Sequence, residues 1–203
     1  MKKTTIILLL FCSVYSWSQK DKKSFLQKNK YSLAVSCLRN KQLDKAIDSF
    51  LFAYKINPKS ETGKISKVKI DSLIPIVRKN LVNQLTGTWK LIGNQPIWIL
   101  KEQMNNKVSD TMMMITSDQI SYYVKNNKSS EQKFLKADKI EFYNGFEANN
   151  QVTEMVDSVN ELWLFIIDAS SKNLRIINTG NKTISGRNSI YLDNKELYYT
   201  RVK

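Results

Sequence analysis

The sequence predicts an α+β protein: a small N-terminal helical bundle followed by an antiparallel barrel or sandwich of short strands. Three observations predict this. Apolar residues recur at helical spacing through residues 19–85. From Thr86 onward the spacing switches to alternation. The alternating runs are separated by turn residues, such as Ser117-Asp118, Asn126-Asn127, Ala169-Ser170-Ser171 and Asp193-Asn194.

Ahead of these elements, residues 1–18 have the order of a secretory signal peptide. Lys2 and Lys3 precede an apolar run, and Ser16-Trp17-Ser18 places small residues at −3 and −1 to a cut before Gln19. The run is too short for a membrane span, which needs about 20 apolar residues. Cys12 is not expected to carry a lipid, because Phe11 stands where a lipoprotein signal has a small residue. The expectation is export to the periplasm or the medium, with Cys37 as the remaining cysteine and so no intramolecular disulfide. Cys37 lies on an apolar helical stripe, where it reads as a small buried hydrophobe.

The first helix shows Leu26, Lys30, Leu33, Ala34, Cys37 and Leu38 at helical spacing, and the second shows Leu43, Ala46, Ile47, Phe50, Ala53 and Tyr54. Asn57-Pro58 stops the second. A short third helix opens at Ser60. Pro75 does not sit deep inside a helix, so a fourth is expected to start at Asp71 or Ser72, with Ile74, Val77, Leu81, Val82 and Leu85 on one face. Candidate strands cover 86–92, 97–101, 111–116, 119–125, 132–136, 139–143, 161–167, 174–178, 189–192 and 196–202.

The chain carries 32 Lys+Arg against 18 Asp+Glu and no histidine. Without histidine there is no Ser-His-Asp triad, Cys-His pair or HExxH zinc site. Acid pairs such as Glu154 with Asp157 and Glu102 with Asp110 have no neighbour that would tune them. No phosphate-binding glycine loop or metal-ligand spacing is present. An enzyme, a metal and a cofactor are therefore not expected. Residues 19–85 hold 15 basic and 5 acidic residues, whereas residues 86–203 hold 15 and 13. The excess positive charge belongs to the helical part, which suits an acidic protein, anionic lipid or polysaccharide. A solvated basic face is the equally good reading. Nucleic acid is not the expected partner, given export and few aromatics among the lysines.

Residues 27–60 resemble a single tetratricopeptide repeat, through Leu33, Ala34, Leu43, Ala46, Phe50, Ala53 and Pro58. One repeat cannot build the concave groove of an array, so the resemblance implies a cap or a docking element. Residues 86–203 resemble the lipocalin-like families, through Gly87-Thr88-Trp89 opening the first strand and Tyr198-Tyr199-Thr200-Arg201 in the last. The resemblance implies a small eight-stranded antiparallel lipocalin-like barrel of the kind found in exported bacterial proteins. It implies that Gly87 lets the strand bend, that Trp89 plugs the closed end and that Arg201 covers its ring.

The resemblance also implies binding rather than catalysis, with a small apolar or amphipathic ligand inside the barrel. Alternation groups Trp89 with Leu91, Met112 with Met114, Ile140 with Phe142, Trp163 with Phe165, and Tyr199 with Arg201. The candidate ligand-lining residues are Met112, Met114, Phe142, Trp163, Phe165 and Tyr199. An interior filled by these same side chains is the competing reading. In that case the protein is an interaction scaffold whose basic helices dock a partner.

Overall fold

The computed structural model describes residues 22–93, 109–145, 152–192 and 194–202. The signal-peptide reading, Cys12, Glu102 and the candidate strand 97–101 lie outside them. The chain divides into two compact units, Met1–Val77 and Arg78–Lys203.

In the first unit, α1 covers residues 22–39, α2 is Leu43–Ile56, and α3 begins at Glu61. Small residues let the helices approach closely: Ala34, Ala46 and Ala53 are fully buried, beside Ile47 and Phe50. Tyr31 meets the Phe50 ring edge-on at 5.5 Å. The α1 face is rotated from the expected one. Leu26 and Leu33 are exposed, while Gln27 is buried. Its amide donates to the Ala53 and Asn57 carbonyls (2.8 and 3.0 Å), and its oxygen accepts from Ser60 Oγ at 2.9 Å. Ser60 Oγ also accepts from the Gly63 amide at 3.0 Å, capping α3.

α3 runs unbroken from Glu61 to Leu85 with Pro75 inside it, in place of the two helices expected. Pro75 removes the hydrogen bond to the Asp71 carbonyl. Both residues lie on the exposed face, where water reaches that carbonyl, while Leu73, Ile74 and Val77 stay buried.

In the second unit the last turns of α3 lead into nine strands: β1 Gly87–Gly93, β2 Ser109–Ile115, β3 Gln119–Asn126, β4 Gln132–Lys139, β5 Met155–Val156, β6 Glu161–Ile167, β7 Leu174–Thr183, β8 Gly186–Ser189 and β9 Glu196–Arg201. They form one antiparallel sheet in the order β4-β3-β2-β1-β9-β7-β6-β5, with β8 also on β7. The protein is therefore α+β with first and last strands paired. The sheet curls until its inner face packs on itself: Met113, Ile115 and Ile120 share one core with Phe165, Leu174, Ile176 and Tyr199.

The closed eight-stranded barrel is not formed. Among the described residues there are nine strands, and the sheet stays open between β4 and β5. Past β4 the chain meets β5 at one isolated bridge, Phe142 with Met155. The candidate strand 139–143 reduces to that bridge. β5 ends after two residues because Asp157 turns the chain: its Oδ1 accepts from the Val159 and Glu161 amides. A strand so short cannot carry a closing ladder.

Candidate functional site

The inner face of the curled sheet encloses a cavity of about 230 Å³. Its floor is apolar, from Ile120, Met155, Phe165, Ile176 and Leu197, with Tyr122, Trp163 and Tyr199 on the walls. Strand register explains this set. Cross-strand partners share a face, so Trp89↔Met113↔Tyr122↔Lys136 form one row, Leu197↔Ile176↔Phe165 another, and Asn178↔Trp163↔Met155 a third.

Two aromatic–cation–acid groupings stand on the walls. Lys136 Nζ lies 5.1 Å from the Tyr122 ring centroid and 2.7 Å from Asp138 Oδ2. Lys195 Nζ lies 5.5 Å from the Trp163 ring centroid, and Trp163 Nε1 donates to Asp157 Oδ2 at 3.0 Å. Asp138 is buried. Burial pulls its carboxyl up, but hydrogen bonds from Lys136 and Ser158 outweigh this and hold it below the usual carboxylate range. Burial pushes the Tyr199 phenol up to about 12. Burial also raises Tyr122, and the nearby charges of Tyr199, Asp138 and Asp157 add to the effect. Both phenols are neutral donors at ordinary pH.

Of the six candidate lining residues, Trp163, Phe165 and Tyr199 line the cavity. Phe142 packs on the same core, with the Arg78 guanidinium 4.8 Å from its ring. Met112 and Met114 are on the opposite face, because Trp89 pairs with Met113 and fixes Met113 inward. A run of three methionines satisfies alternation in either parity, and the neighbouring strand decides. Tyr122, Lys136, Asp138, Met155 and Asp157 were not expected here. The alternation of Ile120, Tyr122 and Val124 is the signal that reaches Tyr122, whereas acids and lysines beside turns read as surface.

Below this cavity, Trp89, Arg201 and Gly87 form a structural cluster. Arg201 pairs with Trp89 across β1 and β9, and its guanidinium carbon is 4.7 Å from the ring centroid. Trp89 Nε1 donates to the Leu85 carbonyl at 2.7 Å, and Arg201 Nη2 to the Gln84 carbonyl at 2.5 Å. These are terminal carbonyls of α3, which otherwise lack helical partners. α3 has no basic residue in its last turn, and Arg201 supplies the favourable charge from the neighbouring strand β9. Gly87 has φ +137°, a conformation that side chains strain to adopt.

The acid pair Glu154 and Asp157 is structural on both sides. Glu154 is buried in an ion pair with Arg187, and Asp157 holds the turn and Trp163. Asp110 pairs with Lys90 at 2.7 Å. Among the described residues, no group of three acid or thiol side chains is placed to hold a metal, and no helix is long and apolar enough to cross a membrane.

Comparison with protein-family models, with curated proteins and with solved structures returns no match in any of the three.

Proposed function

We propose that this protein is an exported, non-catalytic binding protein that holds a small apolar or amphipathic molecule inside the lipocalin-like curl of its sheet. The observation that carries the reading is the cavity of about 230 Å³, walled by Tyr122, Trp163, Phe165 and Tyr199. An interior packed solid by its own aromatics would leave no such space. The cavity is larger than an engineered apolar cavity of ~150 Å³ that takes benzene, so a ligand of about nine non-hydrogen atoms fits.

Native mass spectrometry of the protein recovered from its own host tests this. The expected mass starts at Gln19 and carries one small bound molecule. A bare protein that also gives no saturable binding of an environment-sensitive apolar dye overturns the pocket reading.

A scaffold reading draws on the helical unit. Phe25, Leu33, Phe52 and Val68 are exposed there, and Lys30 Nζ sits 4.8 Å from the Phe52 ring centroid. Its positive charge suits an acidic protein or an anionic surface.

A further inference from the structure

Tyr122 and Tyr199 set the cavity apart from a purely apolar one. Tyr199 is 2 % exposed, yet among the described residues neither hydroxyl forms a hydrogen bond. The adjacent Tyr198 behaves differently: its hydroxyl donates to Glu196 Oε2 at 2.5 Å. Both hydroxyls line the cavity without a protein partner among the described residues, and a polar group on a cavity wall marks where a ligand's polar atom is met.

The charges at the cavity constrain the partner. Lys136, Lys139 and Lys195 stand against Asp138, Asp157 and Glu161, which balance. Lys136 is paired with Asp138, and Asp157 is committed to Trp163 and two backbone amides. Asp138 and Asp157 both act on the Tyr122 phenol, so a negative head group beside it would be repelled by two carboxylates. A positive head group would compete with Lys136 for Asp138 and meet Lys139 and Lys195 on the same walls.

We infer that the cavity takes an uncharged, mostly apolar molecule bearing an acceptor oxygen, such as a ketone, ester or lactone, which the Tyr199 and Tyr122 hydroxyls hold by hydrogen bonds. This inference rests on the pocket reading above and specifies the chemistry of its ligand.

Calorimetric titration of the purified protein with three size-matched probes tests it: acetophenone, isopropylbenzene and benzoate. Acetophenone is expected to bind saturably and more tightly than the other two. Tyr199→Phe and Tyr122→Phe each remove one hydroxyl and little else. Each should weaken acetophenone about five- to tenfold and leave isopropylbenzene unchanged or tighter. Equal binding of acetophenone and isopropylbenzene, insensitive to both substitutions, would overturn the acceptor inference while the pocket reading survives. Benzoate as the tightest probe would overturn the uncharged class. Binding of none of the three overturns both readings. Should either variant misfold, the ranking of the three probes on the unaltered protein still decides.

Discussion

Trp89 and Arg201 face each other across the β1–β9 ladder, and both donate hydrogen bonds to the C-terminal carbonyls of α3. One indole and one guanidinium thus tie together a helix end, the first strand and the last. Trp89→Ala is expected to destabilise the protein by about 3–5 kcal/mol, through lost core volume. The Arg201 side chain is exposed and its ring contact contributes about 0.5–1 kcal/mol, so Arg201→Ala costs less. The double variant should lose less than the two single losses together, because the groups touch. Urea unfolding of the three variants measures this, and strict additivity would contradict the coupling.

The buried pair Glu154–Arg187 joins β8, which carries Arg187, to the residue before β5. Arg187 also donates to Ser189 Oγ and to the Thr179 carbonyl. Removing one partner leaves a buried charge uncompensated, which costs about 3–5 kcal/mol. Arg187→Met alone should therefore be severe. Arg187→Met combined with Glu154→Leu should recover much of the loss, as apolar replacements of both partners often do. Equal instability of the single and double variants in denaturant titrations would count against a compensated pair.

Alkaline pH tests the environment of the two cavity tyrosines. Their folded values lie above the ordinary value of 10, that of Tyr199 at about 12. The unfolded chain therefore releases these protons first. Their contribution to stability is intact below pH 10 and is lost as pH rises from there through about 12. Phenolate absorbance from these two residues should appear only near the upper end of that window or with unfolding. The Tyr122→Phe, Tyr199→Phe double variant should show a shallower loss of stability between pH 10 and 12. Phenolate formation near pH 10 in the folded protein would sink the assignment.

Two substitutions in α3 should have opposite signs, one contrary to helix propensity and one in line with it. Gly→Ala inside a helix ordinarily gains about 1 kcal/mol. At Gly63 a methyl group would come within 2.2 Å of the Asn57 carbonyl oxygen, so Gly63→Ala should destabilise. Pro75→Ala restores an amide that can reach the Asp71 carbonyl. It should stabilise by about 1–2 kcal/mol, part of the ~3 kcal/mol helix penalty being offset by a freer unfolded chain. Thermal unfolding of both variants reads the two signs directly.

The β1–β9 pairing was legible in the sequence because Gly87-x-Trp89 and the terminal Tyr-Tyr-x-Arg strand are local signals. The resemblance they carry, which implies that Arg201 covers the Trp89 ring, was what brought them together. The parity of Met112-Met113-Met114 was not legible, since only the register with Trp89 selects Met113. Gln27 reads as a surface residue, and its burial depends on a carbonyl of α2 and on a carbonyl and a serine brought in by the loop after it. Pro75 reads as a helix stop, and the exposure that lets α3 pass through it is a tertiary fact. The cavity was half legible. Trp163, Phe165 and Tyr199 follow from alternation, whereas Lys136, Asp138 and Asp157 owe their place to curling of the sheet. The open edge follows from the two-residue β5, whose brevity comes from the Asp157 turn rather than from any weakness in the apolar pattern.

The pairing of β1 with β9 also has a kinetic consequence. β1 is made early in this sheet and β9 last among its described strands. Until residues 196–201 emerge during synthesis, Trp89 has no guanidinium over its ring, and the Gln84 carbonyl at the end of α3 has no Arg201 to accept from. The unit can assemble the local ladders β2–β3–β4 and β6–β7 beforehand, but its central seam forms only when β1 and β9, far apart in the chain, meet. Such high contact order makes folding slow relative to a helical bundle. It also keeps the sheet unfinished until its last described strand is made.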